Sequence, residues 1–398
     1  MKRLFPRGIR LALGEQVPCQ EITPWCPGQV LVPLYPKGVG LFPVGAAVKK
    51  GDLLGEEGGF APEDGVVQAY REIQHPIIGK VLCVVLELMP GKQEEKRKKP
   101  HTEKNIFEIA KYSGIIEECS GETLWKWMES AAAQPLSSIA VDALEDEPLY
   151  PDGPFFLKYQ DDVLLGLKIL AEFLGISQQK IAWNSREVGR AMENLPAAYS
   201  LELGTRYPAW ILYQEEEKES TARIGPQAAA ALAKAVKEGI PQTHTAITIA
   251  GDAVSKPQIL WVPIGTRIQD LLEYCGAGTR PCVAVMGNKL GGHTVVDGDT
   301  PVVAASRCLT AWKPEEQKLD DRVFPCIGCG KCQRACPKRL EPWLVQEALG
   351  QEPIPQKMLW RVEDCCQCGV CQMVCPSGIN LPACMKQAAE LRKRGGLV

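Results

Sequence analysis

The first quarter of the chain alternates short apolar runs with turn residues. The apolar runs occupy Val30–Leu34, Leu53–Leu54, Val66–Val67 and Val81–Leu88, and Gly and Pro residues separate them. Short runs bounded in this way are typical of strands rather than helices. The pattern predicts an all-β domain over residues 1–92, and the charge run 91–104 predicts an exposed linker after it.

Helical spacing of apolar residues begins in the middle of the chain. The segment 163–174 places its apolar residues on one helix face and follows Asp161 and Asp162, which suit the first turn of a helix. The alanine-rich segment 227–237 predicts a second helix. Helices that alternate with short apolar strands predict an α/β domain over residues 105–240.

The last part of the chain divides into two regions. Residues 243–306 return to short strands and turns, with one helix near Ile268–Tyr274. A polar linker precedes residues 320–398, which are rich in cysteine and end in a basic helix, Pro382–Arg394. The predicted fold class is therefore a multidomain α/β protein.

The overall composition is that of a folded globular protein. Its 398 residues are enough for two or three domains, and 45% of them are hydrophobic while 23% are charged. A net charge of −3 gives no bulk attraction to nucleic acid or to an anionic membrane. The sequence has neither a run long enough to span a bilayer nor the apolar region of a secretory signal. We expect a cytoplasmic protein, at most peripheral to a membrane complex.

The cysteines are concentrated at one end of the chain. Ten of the 17 lie between Cys326 and Cys384, so the pattern differs from the evenly cysteine-dense disulfide framework of a short secreted domain. Residues 326–337 read CIGCGKCQRACP and residues 365–376 read CCQCGVCQMVCP. Both fit C-x2-C-x2-C-x3-C-P, the run that binds cubane iron–sulfur clusters in bacterial ferredoxins.

This motif predicts which cysteines hold each of two [4Fe–4S] clusters. Three closely spaced thiolates bind one cluster, and the fourth cysteine of each run binds the other cluster. The first ligand set is therefore Cys326, Cys329, Cys332 and Cys375. The second ligand set is Cys365, Cys368, Cys371 and Cys336.

Two alternatives bear on these assignments. Structural zinc favours two CxxC pairs over two four-cysteine runs that end in proline. A register beginning at Cys366 would need thiolates at Gly369 and Gln372, so only the register beginning at Cys365 is complete. The other cysteines, Cys384, Cys308, Cys119 and Cys83 among them, suit a role as buried small hydrophobic residues.

Several segments outside the cysteine region resemble the RnfC family of the Rnf electron-transport complex, which is similar in its middle to the flavoprotein subunit of complex I. The resembling segments, in order, are PVGAAVKKGDLLGE (43–56), VDALEDEPLYPDGPFFLKYQDDVLLGLKIL (141–170), GTRYPAW (204–210) and AGDAVSKPQILWVPIGTRIQDLLEYCG (250–276). The resemblance implies an N-terminal barrel–sandwich hybrid, a central flavoprotein-like α/β domain, a soluble-ligand-binding β-grasp (SLBB) domain and a dicluster ferredoxin module.

The nucleotide-binding loop of that family is altered in this chain. The family uses a glycine-rich loop whose backbone amides approach the phosphate of flavin mononucleotide (FMN) and NADH. The equivalent stretch, GIIEECSGETLWKW (114–127), keeps only Gly114 and Gly121, and Glu117 and Glu118 stand where an anion would approach. These changes count against bound FMN and NADH. We assign no catalytic residue.

The acidic segment of the family persists as Glu145 and Glu147 before Pro148. These carboxylates are either remnants of a nucleotide-contacting segment or solvated side chains of a turn at a strand end. The resemblance places both at the altered flavin and NADH site, together with Gly114 and Gly121.

Two functions follow from the sequence. The first is an electron-relay subunit, which takes electrons from a flavoprotein or ferredoxin and passes them to an acceptor subunit of an oxidoreductase complex. The second is a catalytic NADH dehydrogenase subunit that binds FMN and feeds its own clusters, as the resemblance implies for the family in general. The lost glycines favour the first. A third possibility is a branch of the family that serves amino-acid reductases or microcompartment enzymes.

Overall fold

The computed structural model describes most of the chain. The described residues are 7–9, 21–34, 39–56, 58–76, 79–89, 105–144, 149–216, 220–277, 282–287, 290, 292–314 and 323–393. The predicted linker 91–104 lies outside them, and so do Glu145 and Glu147.

The N-terminal region forms an antiparallel sheet, as the alternating pattern predicts. After a short strand β1 (Ile22–Pro24), its strands are β2 (Gln29–Pro33), β3 (Ala47–Val48), β4 (Gly65–His75) and β5 (Gly79–Leu88), in the order β2-β5-β4-β3. Fully buried Val30, Val84 and Leu86 lie in its core. The predicted strand at Leu53–Leu54 is reduced to an isolated bridge between Leu53 and Phe60.

The central region is an α/β unit with a parallel sheet. Its elements are α1 (Ile106–Tyr112), α2 (Leu124–Ala132), β6 (Ser138–Asp142), α3 (Asp152–Lys158), α4 (Gln160–Leu174), β7 (Gln178–Trp183), α5 (Arg186–Met192), β8 (Ser200–Glu202), α6 (Ala209–Glu216), β9 (Thr221–Ile224) and α7 (Pro226–Glu238). The sheet order is β8-β7-β6-β9, and every residue of β6 is buried, as expected for an inner parallel strand. The two helices predicted from spacing are confirmed as α4 and α7.

The next region is a mixed six-stranded sheet with one helix. Its elements are β10 (His244–Ala250), β11 (Gln258–Pro263), α8 (Ile268–Tyr274), β12 (Val283–Met286), β13 (His293–Val295) and β14 (Cys308–Trp312). Strand β1 joins the edge of this sheet by parallel pairing of Ile22 with Ile259, giving the order β1-β11-β10-β14-β12-β13. The pairing joins a piece of the N-terminal region to a later one, which local sequence patterns do not indicate. The domain limits 1–92, 105–240, 243–306 and 320–398 remain predictions.

The cysteine-rich region is built of short helices. They are α9 (Lys331–Ala335), α10 (Pro342–Leu349), α11 (Val370–Met373) and α12 (Leu381–Lys393), so the basic helix predicted at the end of the chain is confirmed. This region packs against the central unit, where Tyr207 shares an apolar cluster with Ala335 and Val370. Lys338 Nζ also lies 3.0 Å from Glu215 Oε1 of α6. No helix of the described residues has the length and apolar composition needed to cross a bilayer.

Candidate functional site

The two cysteine motifs fold into two similar turns, each leading into a short helix. Gly330 precedes α9 with φ of 65°, and Gly369 precedes α11 with φ of 75°. This left-handed backbone is open to glycine at little cost. At Gly369 a Cβ would also lie 2.4 Å from the carbonyl oxygen of Leu290, so the close approach of two regions requires glycine there. The third cysteine of each motif lies inside the helix, and the fourth follows it.

The second predicted ligand set lines one cavity. All four of its members, Cys336, Cys365, Cys368 and Cys371, face this cavity, which Pro382 and Met385 of α12 help to enclose. Burial, followed by the nearby Cys365, Cys336 and Cys332, raises the pKa of the Cys371 thiol to about 12. The fold therefore carries Cys336 away from its own motif and places it beside the three leading cysteines of the other motif.

The first predicted ligand set is more open. Buried Cys332 and half-buried Cys375 belong to one apolar cluster with Ile379 and Leu381. Burial raises the pKa of Cys332, and Cys375 and Cys326 add to that rise because their thiolates are close by. Cys326 itself is exposed and Cys329 is half-buried on the loop before α9.

The spacing of the thiols matters for the choice of metal. Among the residues that the structure describes, no group of three or more His, Cys, Asp or Glu side chains is drawn together as the ligands of one ion. Four thiolates on one zinc would have to lie within about 4 Å of each other. A cubane binds each thiolate to a different iron atom, so it fits a looser set that surrounds a cavity. The second ligand set has that character.

Cys366 is the cysteine next to the second ligand set. It lines the same cavity and interacts with Cys368 through a hydrogen bond, which is the main reason that the pKa of Cys366 falls to about 7. Outside the cavity, Cys83 and Cys308 are fully buried, as predicted for small hydrophobic residues. Cys119 and Cys384 are half-buried.

The altered glycine loop covers the carboxyl ends of β6 and β9. This edge of a parallel sheet is where α/β proteins commonly bind ligands. Gly114 and Gly121 have φ of 61° and 75°. A Cβ on Gly114 would lie 2.6 Å from the ring of Phe60, so this glycine allows the N-terminal region to pack against the loop.

The two glutamates of this loop are buried and bind backbone amides of the protein itself. Glu118 Oε1 accepts a hydrogen bond from the Gln227 amide at 2.6 Å, and its Oε2 accepts one from the Ala228 amide at 2.9 Å. Glu117 Oε1 accepts the Gly225 amide at 2.8 Å. The N-terminus of α7, a type of position that binds phosphate in many proteins, is therefore occupied by a side chain of the loop.

Further charges surround these glutamates. Burial raises the pKa of Glu118 to about 8, and Glu117 raises it further while the amides and Arg307 oppose the rise. Burial would also raise the pKa of Asp142 at the end of β6, but Arg223 and Arg307 hold it below its usual range. Arg223 pairs with Asp142 through both its Nε, at 2.8 Å, and its Nη2. The loop site is thus a closed network of charges.

Three residues of this network were not singled out from the sequence. Asp142 and Arg223 are separated by 81 residues and meet because β6 and β9 are neighbours in the sheet. Gly225 permits the approach of Glu118, because a Cβ there would lie 2.1 Å from the Glu118 carboxyl carbon. The Gly-Pro pair before an alanine-rich helix was the available sequence signal.

Two family models match the chain. A 4Fe–4S dicluster domain matches residues 325–379, and an SLBB domain matches residues 246–286. The first contains all eight predicted ligands and supports the binding of 4Fe–4S clusters. The second covers β10, β11, α8 and β12, so the expected SLBB region and the mixed α/β character are confirmed.

Curated relatives cover more of the chain. The RnfC-type component of the proton-translocating ferredoxin:NAD(+) oxidoreductase complex of Clostridium ljungdahlii is 28% identical over 373 residues, 83% of this chain and 80% of that protein. The corresponding component of the ion-translocating oxidoreductase complex of Vibrio cholerae is 28% identical over 72% of this chain but only 41% of that protein. The resemblance to the RnfC family is confirmed. The Vibrio relative is thus more than twice as long as the part that this chain matches.

The corresponding Yersinia pseudotuberculosis protein is 29% identical over 52% of this chain and 32% of that protein. Among solved structures, an NAD+-reducing [NiFe]-hydrogenase in the air-oxidized state is similar with a TM-score of 0.43 and 14% identity, over 63% of this chain and 53% of that one. A similarity at that level carries no conclusion about this chain.

Proposed function

We propose that this chain is an iron–sulfur electron-transfer subunit of an Rnf-type oxidoreductase complex. The observation that carries the proposal is the cavity that gathers Cys336 with Cys365, Cys368 and Cys371. Thiols from both motifs meet there as a dicluster ferredoxin requires, and the RnfC-type relatives supply the class of complex. The bound clusters would supply reversible one-electron chemistry, with Cys326, Cys329, Cys332 and Cys375 holding the other one.

The surroundings of the two ligand sets suggest a direction within the chain. Cys368 belongs to an apolar cluster with Tyr207 and Leu290, so the second set faces the rest of the protein. The loop of the first set exposes Phe324 by 51% and Ile327 by 68%. We assign the first set to exchange of electrons with an external redox protein, a flavoprotein or ferredoxin on one side of the relay and an acceptor subunit on the other.

The altered loop makes a flavin in the central unit unfavourable. A phosphate at the N-terminus of α7 would have to displace the carboxylate of Glu118 from two amide hydrogen bonds. It would also meet Glu117, which already accepts the Gly225 amide. Like charges in a buried site repel strongly, so the same position does not suit both the carboxylates and a phosphate. The central unit is then a flavoprotein-like scaffold, and the N-terminal sheet a barrel–sandwich hybrid of the family, at the domain limits predicted from the sequence.

The competing function is a catalytic NADH dehydrogenase subunit with bound FMN. The name of the Clostridium relative includes NAD(+) as a substrate of its complex, which is the observation in its favour. Anaerobically purified protein separates the two functions by its visible spectrum and by equilibrium dialysis against FMN. The relay predicts cluster absorption without resolved flavin bands and no bleaching by NADH. Stoichiometric FMN at micromolar affinity, with NADH reducing the clusters, would establish the catalytic function instead.

The relay is expected to work in the cytoplasm, as a peripheral member of its complex. Fractionation with a carbonate wash tests this expectation. Release of the chain from membranes by carbonate agrees with attachment through partner proteins, whereas retention in the washed membrane would contradict it.

A further inference from the structure

A second cavity lies away from the cysteines and from the altered loop. It has a volume of 520 Å³, which is within the range of small-molecule sites. Its lining comes from separate parts of the chain: Trp25 and Cys26 after β1, Lys50 and Glu63 of the N-terminal region, Lys234 of α7, His244 of β10 and Trp261 of β11. The cavity therefore depends on the assembly of three regions.

Aromatic rings form one wall of this cavity. The His244 imidazole stacks on the Trp261 indole with ring centroids 5.8 Å apart and planes 12° apart. Phe155 packs against the same indole with centroids 5.9 Å apart. A wall of flat rings favours a flat ligand, because stacking contacts are gained over the whole ring face.

Cationic side chains lie beside that wall. Lys234 Nζ is 6.0 Å from the centroid of Trp261, and its side chain is 33% exposed. Lys50 Nζ pairs with Glu63 Oε1 at 2.5 Å. Glu63 Oε1 is in turn 3.7 Å from His244 Nε2. Burial, with Lys50 and Lys234 acting in the same direction, lowers the pKa of His244 to about 3, so its ring is neutral at pH 7.

We propose that this cavity binds a small planar aromatic anion, with its ring against Trp261 and His244 and its negative group at Lys234. The neutral imidazole suits ring stacking. Lys234 supplies the charge because its only acidic partner among the described ion pairs, Asp162, is 4.0 Å away on α4 and outside the cavity lining. This site is separate from the cluster ligands and does not depend on the proposed relay function.

Isothermal titration calorimetry of the cluster-loaded chain with 2-naphthoate tests the proposal. We expect saturable binding of one molecule per chain. Two matched compounds separate the features of the ligand: 2-naphthamide keeps the rings without the charge, and cyclohexanecarboxylate keeps the charge without the aromatic rings. Both should bind about tenfold more weakly or not at all, because each lacks one of the two contacts. Absence of saturable 2-naphthoate binding, or equal binding of the three compounds, would overturn the proposal.

A pair of lysine variants tests the position of the site. Lys234→Met should weaken 2-naphthoate binding by about tenfold, since the charged contact is removed. Lys237→Met is the matched control, because Lys237 is on the same helix and also pairs with Asp162, at 3.3 Å, but does not line the cavity. Its affinity should stay within about twofold of the unmodified chain. Equal effects of the two substitutions would place the bound molecule elsewhere.

Discussion

Replacement of Glu118 by Gln tests the occupied helix terminus of the altered loop. The side chain is 3% exposed, and its two oxygens each accept one backbone amide. Gln keeps the shape but has one oxygen, so its NH2 group must face an amide donor. An unsatisfied buried group of this kind costs about 1–3 kcal/mol at any pH.

The pH dependence gives this prediction its sign. Glu118 has a pKa raised to about 8 from a usual value of 4.5. Between these values the folded chain holds more protons than the unfolded chain, so its stability falls as pH rises, by about 1.4 kcal/mol per pH unit. The Gln variant does not share this loss. We expect it to be less stable than the unmodified chain at pH 5 and more stable at pH 8.

Thermal melts of the anaerobic protein between pH 5 and 8, followed by circular dichroism, measure the difference in midpoint temperature. Glu122→Gln is the control, because Glu122 is exposed on the same loop, and it should shift the midpoint equally at every pH. A Glu118→Gln difference that is constant across the series would refute the reasoning, since it would mean that the carboxylate stays ionised throughout.

Two further predictions concern Gly225 and the crossed ligands. Gly225→Ala should cost about 1–3 kcal/mol, because the new Cβ would lie 2.1 Å from the Glu118 carboxyl carbon. Gly204→Ala, where a Cβ meets nothing within 4 Å, should stay within about 0.5 kcal/mol in the same urea melts, and equal losses would contradict the packing. Cys336→Ala should leave the same residual electron paramagnetic resonance spectrum as Cys368→Ala. A match to Cys329→Ala would show that each motif binds its own cluster.

Much of the fold could be predicted because local patterns determine it. The helices α4 and α7 follow from apolar spacing, and the glycines at their ends, Gly175 and Gly239, adopt φ of 68°. The cysteine assignments follow from spacing alone, since a two-residue interval limits where the next thiol can point. The pairing of β1 with β11 could not be predicted, because it joins Ile22 to Ile259 without a local signal.

The altered loop shows where sequence reasoning fell short. Its glutamates were expected to repel a phosphate from a site left open. The structure shows instead that Glu117 and Glu118 are 1% and 3% exposed and are themselves bound by backbone amides. Residue types indicate charge, but the partner of a charge depends on contacts more than 100 residues apart, such as Glu118 with Gln227. His244 was likewise treated as an ordinary histidine, because its stacking on Trp261 depends on the pairing of two strands.

The central claim is that one chain holds two [4Fe–4S] clusters on eight cysteines. Iron and acid-labile sulfide analysis of fully reconstituted, anaerobically purified protein measures this directly. The account predicts about eight irons and eight sulfides per chain, four of each per cubane. Four or fewer irons per chain in a fully reconstituted sample would contradict it.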